Sequence, residues 1–63
     1  MNYEERMRRA CHTAQDVHRW IYLERLQLAA AQRMADAPAE RKAQRKLATL
    51  KLILDEMLTL AML

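Results

Sequence analysis

A thiol and an imidazole on one helix face can make a nucleophile or half of a metal site. This chain carries the parts in Cys11, His12 and His18. Their spacing argues against both uses. Cys11 and His18 stand seven residues apart, two helical turns, whereas helical metal pairs sit at i,i+4. His12 projects from another face. Nucleophilic catalysis also needs an orienting third group, and acid–base catalysis needs carboxylates converging on one cavity. Neither pattern is present, so no catalytic residue, metal ligand or cofactor is expected, and the chain reads as non-enzymatic. Cys11 reads as a small buried residue or an incidental thiol. With one cysteine in the chain, a disulfide requires two copies to meet at Cys11.

Two other groups suit binding rather than reaction. "WIYLERL" concentrates Trp20, Tyr22, Leu23 and Leu26, and aromatic residues anchor interfaces because they bury large areas with few rotors. "ERKAQRK" places Arg41, Lys42, Arg45 and Lys46 at i, i+1, i+4 and i+5, a basic block that suits a phosphate backbone. No aromatic is interleaved there, so base stacking is not expected. "RMRR" is a similar block, blunted by Glu4 and Glu5.

These groups must ride on helices. The chain has 63 residues, no glycine and one proline, with alanine and leucine making up a third of it. Strand and turn formers are scarce. The expected fold is all-α, an antiparallel two-helix hairpin. The first helix runs from about Tyr3 to about Met34, capped by Asn2, with Glu4 and Glu5 in its first turn where the dipole favours acids. Residues 35–37 turn, and Asp36 or Ala37 caps the second helix. That helix runs from Pro38, tolerated in a first turn, to about Leu60. So short a turn makes the helices antiparallel neighbours.

The first helix carries a seam in steps of four and three: Tyr3, Met7, Ala10, Ala14, Val17, Ile21, Glu24, Leu28, Ala31. The second carries Ala43, Leu47, Leu50, Leu54, Met57 and Ala61. The expected core is therefore Met7, Val17, Ile21, Leu28, Leu47, Leu50, Leu54 and Met57. Glu24 alone breaks the seam, and Arg19 or Arg25 of a second copy would pair with it. Opposite lies a second apolar face, Leu23, Leu26 and Ala30, flanked by Met34, with Trp20 and Tyr22 on its edges.

Length then forces a question of cover. At ~1.5 Å per residue the two helices span roughly 48 and 35 Å, so "EERMRRA" overhangs, and Met7, Ala10 and Cys11 need cover from elsewhere. A chain this short without disulfide or metal usually relies on a partner. A homodimeric four-helix bundle is expected. The charged N-terminal stretch does not read as a signal peptide, and the apolar C-terminal stretch is interrupted by Lys51, Asp55 and Glu56, too short and too charged for a span. A cytoplasmic protein with a reduced cysteine is expected.

The segment "VHRWIYLERLQLAAAQRM", within an Arg-rich first helix and followed by a short turn and a leucine-rich second helix, resembles the layout of small phage-encoded anti-activators. Those are short helical dimers that bind host quorum-sensing regulators or pilus motors. The resemblance implies a phage or mobile-element inhibitor that binds and masks a bacterial regulator, with Trp20, Tyr22, Leu23, Leu26 and Ala30 as the partner-binding residues. Two alternatives stand beside it. One is a nucleic-acid-binding dimer using Arg41, Lys42, Arg45 and Lys46. The other is a secretion-type chaperone holding a client helix in an apolar groove.

Overall fold

The computed structural model describes residues 1–62. Among them are three helices and no strand: α1 (Tyr3–Ala10), α2 (Ala14–Arg33) and α3 (Ala37–Ala61). All-α is right, but the two-helix hairpin is not. The expected first helix is broken at Cys11–Thr13, and its leading piece folds back on the rest.

Local chemistry makes the break. Thr13 is extended, at φ −132° and ψ 162°, and caps α2. Its Oγ1 accepts from the Asp16 amide at 3.3 Å, while Asp16 Oδ2 accepts from the amides of Thr13 at 3.2 Å and His12 at 2.9 Å. This reciprocal box satisfies donors that a helix start otherwise leaves bare. On the other side, the Cys11 amide closes α1 by donating to the Met7 carbonyl at 2.9 Å. Arg8 and Arg9 lie in that last turn, where the dipole favours cations.

The second connection is tighter. The amides of Ala35 and Asp36 donate to the carbonyls of Gln32 and Ala31 at 3.2 and 2.9 Å, the paired bonds of a Schellman turn. Ala35 sits at φ +54°, a left-handed position that usually goes to glycine. Asp36 then caps α3 by accepting from the Ala39 amide at 3.2 Å, with Pro38 in the first turn.

Helices α2 and α3 lie antiparallel. Helix α1 runs along them in the direction of α3: Tyr3 at its start meets Glu24 and Lys46, and Arg8 further on meets Glu56. An eight-residue helix is unstable alone, so docking holds it. Arg8 donates to both Glu56 oxygens at 2.6 and 3.2 Å and to Glu4 at 3.1 Å. These bonds hold the Glu56 carboxyl below its usual range. The pair is exposed, so it orients α1 more than it stabilises the fold.

The core draws on all three helices: Met7 and Cys11 from α1 and its end, Val17 and Ile21 from α2, Leu47, Leu50 and Ile53 from α3. Leu50, Ile53 and Val17 are fully enclosed. Tyr3, Trp20, Leu28, Leu54 and Met57 pack around them, partly buried. Near the turn, Ala31 and Ala43 are buried, and their small side chains suit a close approach of α2 and α3.

Two expectations fall with the straight helix. Met7 and Cys11 need no outside cover, because α1 tucks them in at 6% and 3% exposure, while Ala10 faces solvent. Glu24 needs no arginine from a second copy, because Tyr3 and Lys46 of its own chain reach it.

Candidate functional site

The turn of α2 that presents Val17 and Ile21 to the core presents a different set outward. Tyr22, Leu23 and Leu26 are 63%, 48% and 49% exposed, and Ala30 next to them is half-buried. Trp20 does not belong to this patch. It is half-buried and packs against the core. The outward stripe reads Arg19, Leu23, Leu26, Ala30, Arg33, in steps of four and three, so cations bracket the apolar centre. Gln15, His18, Arg19, Tyr22 and Leu23 line a shallow apolar hollow at its N-terminal end.

The charges of α2 are sorted. Its two acids are both committed inward or to the cap: Asp16 holds the amides of His12 and Thr13, which keeps its carboxyl below the usual range, and Glu24 is buried at 8% exposure. Arg19, Arg25 and Arg33 all remain exposed. The outer face is thus apolar and mainly cationic, with Asp16 beside Arg19 at its N-terminal edge as its one acid from α2. Exposed leucines on α3 do not make a comparable face: Leu52, Leu58 and Leu60 are each at least 47% exposed, but they point to different sides of the helix.

A second constellation forms where α1 lies on α3. The Tyr3 ring has Arg6 Cζ at 5.8 Å and Lys46 Nζ at 5.1 Å from its centroid, both within cation–π range. Its hydroxyl donates to Glu24 Oε1 at 3.5 Å, and Lys46 Nζ lies 3.9 Å from the same oxygen. Burial first, and the Glu24 carboxylate second, push the Tyr3 phenol up to about 12. Lys42, Arg45, Lys46 and Thr49 line a hollow against Tyr3. The basic block expected from sequence is therefore gathered in part, with Arg41 exposed outside the lining. Sequence reasoning missed Tyr3 and Arg6, since only the break at Thr13 brings them here.

The reactive residues are dispersed. Cys11 is buried, and burial first, then the Asp16 carboxylate, raise its thiol. A protonated, enclosed thiol is a poor nucleophile and cannot meet its twin across a dimer axis without opening the core. His12 and His18 face solvent. Among the described residues, no group of three or more His, Cys, Asp or Glu could hold a metal ion, and no helix is long and apolar enough to cross a membrane. In comparisons with known proteins, no family model, curated protein or solved structure matches the chain.

Proposed function

We propose that this chain acts without catalysis, by binding another protein through the outer face of α2. The observation that carries this reading is the exposed cluster Tyr22, Leu23 and Leu26 on the side of α2 opposite the core. An apolar cluster rimmed by polar residues is the anatomy of a docking surface. Its charge chooses the partner. Arg19 and Arg33 bracket the cluster, and the one α2 acid near them, Asp16, is already held by the amides of His12 and Thr13. The complementary surface is an amphipathic helix with leucine-like residues along one stripe and carboxylates on its flanks. A second copy fits less well: paired either way along α2, it sets Arg19 and Arg33 against the same arginines of its twin. Of the two grounds for a homodimer, small size and the cover needed by Met7 and Cys11, the second is met within the chain, because α1 tucks both residues in.

In biological terms we read the chain as an inhibitor of phage or mobile-element origin that occupies an acidic-flanked helix on a bacterial regulator. The layout resemblance supports that reading through the aromatic-aliphatic segment and the leucine-rich last helix, though the first helix is broken here.

Two synthetic amphipathic peptides test the face, one with glutamates flanking a leucine stripe and one with lysines. Titration should show the glutamate peptide binding about tenfold tighter or more at low salt, with the gap closing as salt rises. A Leu23→Ala, Leu26→Ala variant, checked for helicity, should lose that binding. Equal affinity for both peptides, or a stable dimer that Leu23→Ala, Leu26→Ala dissociates, would overturn the proposal.

A further inference from the structure

The groove between α1 and α3 raises a different question, because charge gathers there without need. Four cations, Arg6, Lys42, Arg45 and Lys46, surround Tyr3, and they come from two helices. One carboxylate, Glu24, stands near them, and it is shared with the Tyr3 hydroxyl. The other acids of known partnership are engaged elsewhere: Glu4 and Glu56 on Arg8, Asp16 and Asp36 on helix caps, Glu40 on Gln32. Thr49 spends its hydroxyl on the Arg45 carbonyl at 3.2 Å, so the groove offers its ligand cations above all. Convergence of like charges costs stability, and folding α1 away from the block would relieve it. The fold instead brings Arg6 toward it.

We propose that this groove binds the phosphate backbone of a nucleic acid, at a site separate from the outer face of α2. The cations form a row, not a point: Arg41 extends the line of Lys42, Arg45 and Lys46 along α3 for about a turn. A row matches a chain of phosphates better than a lone one. The aromatic does not read bases here. Both Arg6 and Lys46 stand over the part-buried Tyr3 ring, so a base would have to compete with these cations to stack on it. Binding is therefore electrostatic and indifferent to sequence.

The test is fluorescence anisotropy with the full chain and two labelled duplexes of unrelated sequence. If three or four cations each meet a phosphate, the slope of log affinity against log salt is about −3, a loss of roughly sixtyfold from 50 to 200 mM salt. Both duplexes should bind alike. Lys42→Ala, Arg45→Ala should abolish binding; both residues are exposed, and circular dichroism checks the fold. Arg6→Ala should weaken it several-fold, which a site on α3 alone would not show. Arg19→Ala, Arg33→Ala should leave it unchanged, which separates this groove from the α2 face. No binding at low salt, a clear preference for one sequence, equal loss in the Arg19, Arg33 variant, or binding to phosphatidylserine vesicles but not to duplex would each overturn the proposal.

Discussion

Replacing Met7 with alanine decides whether α1 is part of the core. Met7 is 6% exposed, in contact with a cluster that includes Leu50 and Ile53. Truncating a buried methionine removes its transfer free energy and leaves a cavity, together roughly 2–5 kcal/mol. A single core in a chain of this length supplies no more than about 3–5 kcal/mol. Met7→Ala should therefore undo most of the stability, or release α1 and leave α2 and α3 paired. A straight helix reaching past α3 would leave Met7 in solvent, and the same change would cost about half a kcal/mol or less. Met34, 80% exposed, is the internal control. Urea unfolding followed by circular dichroism reads the difference. With a slope near 1 kcal/mol per M for so small a chain, the Met7→Ala midpoint should fall by about 2 M or more, while Met34→Ala stays close to the parent. Midpoints for the two variants that agree within error would refute the docked α1 and everything placed around Tyr3.

Two further changes probe the joints. Thr13→Ala removes the acceptor for the Asp16 amide and should cost about 1 kcal/mol, read as a lower urea midpoint; an unchanged midpoint would mean the cap does not hold the break. Glu56 and Asp16 are held below their ordinary values, so the stability they contribute is fully present above the ordinary values and is lost as pH falls from there through the lowered ones. Thermal melts should drop as pH goes below about 4.5, and Arg8→Ala should flatten part of that drop; a melting temperature that is level down to pH 3 would count against both contacts.

The parts legible in the sequence were those where one signal stood alone. "DAPAE" marks the start of α3, because proline there is tolerated only in a first turn and Asp36 precedes it. The break at Thr13 was hidden by a signal that runs through it. Ala10, Ala14, Val17 and Ile21 keep the steps of four and three across Cys11–Thr13 although Ala10 faces solvent, and Met7 before the break serves the same core as Val17 and Ile21 after it. Apolar periodicity reports which residues seek a core, and it is blind to a reversal that serves the same core. The trace of the break was polar: Thr13 and Asp16 have the spacing of a capping box with aspartate in place of the usual longer acid. The outer face of α2 was legible for Leu23, Leu26 and Tyr22 because helical geometry alone sets it opposite Val17. Trp20 was not, because its half-burial depends on packing against the core cluster, which periodicity on a single helix does not weigh.

Glu24 is where the two readings part most sharply. On a straight first helix it is a stray charge in an apolar seam, and its replacement by leucine simply improves the seam. In the folded chain it is the point where all three helices meet through polar groups: Tyr3 of α1 donates to it, Lys46 of α3 lies 3.9 Å away, and Lys46 also stands over the Tyr3 ring. Buried charges seldom add net stability, but they can specify position. Glu24→Leu should accordingly leave overall stability equal or higher while loosening the seat of α1. The Tyr3 phenol reports that seat. It is raised to about 12 by burial and by Glu24, so the folded state keeps its proton beyond pH 10, and this contribution is lost as pH climbs from there toward 12. With Tyr22→Phe as the background, ultraviolet titration follows Tyr3 alone. Adding Glu24→Leu should bring the midpoint down from about 12 toward the ordinary phenol range. A phenol still titrating near 12 without Glu24 would show that burial alone holds Tyr3, and that the buried carboxylate does not position α1.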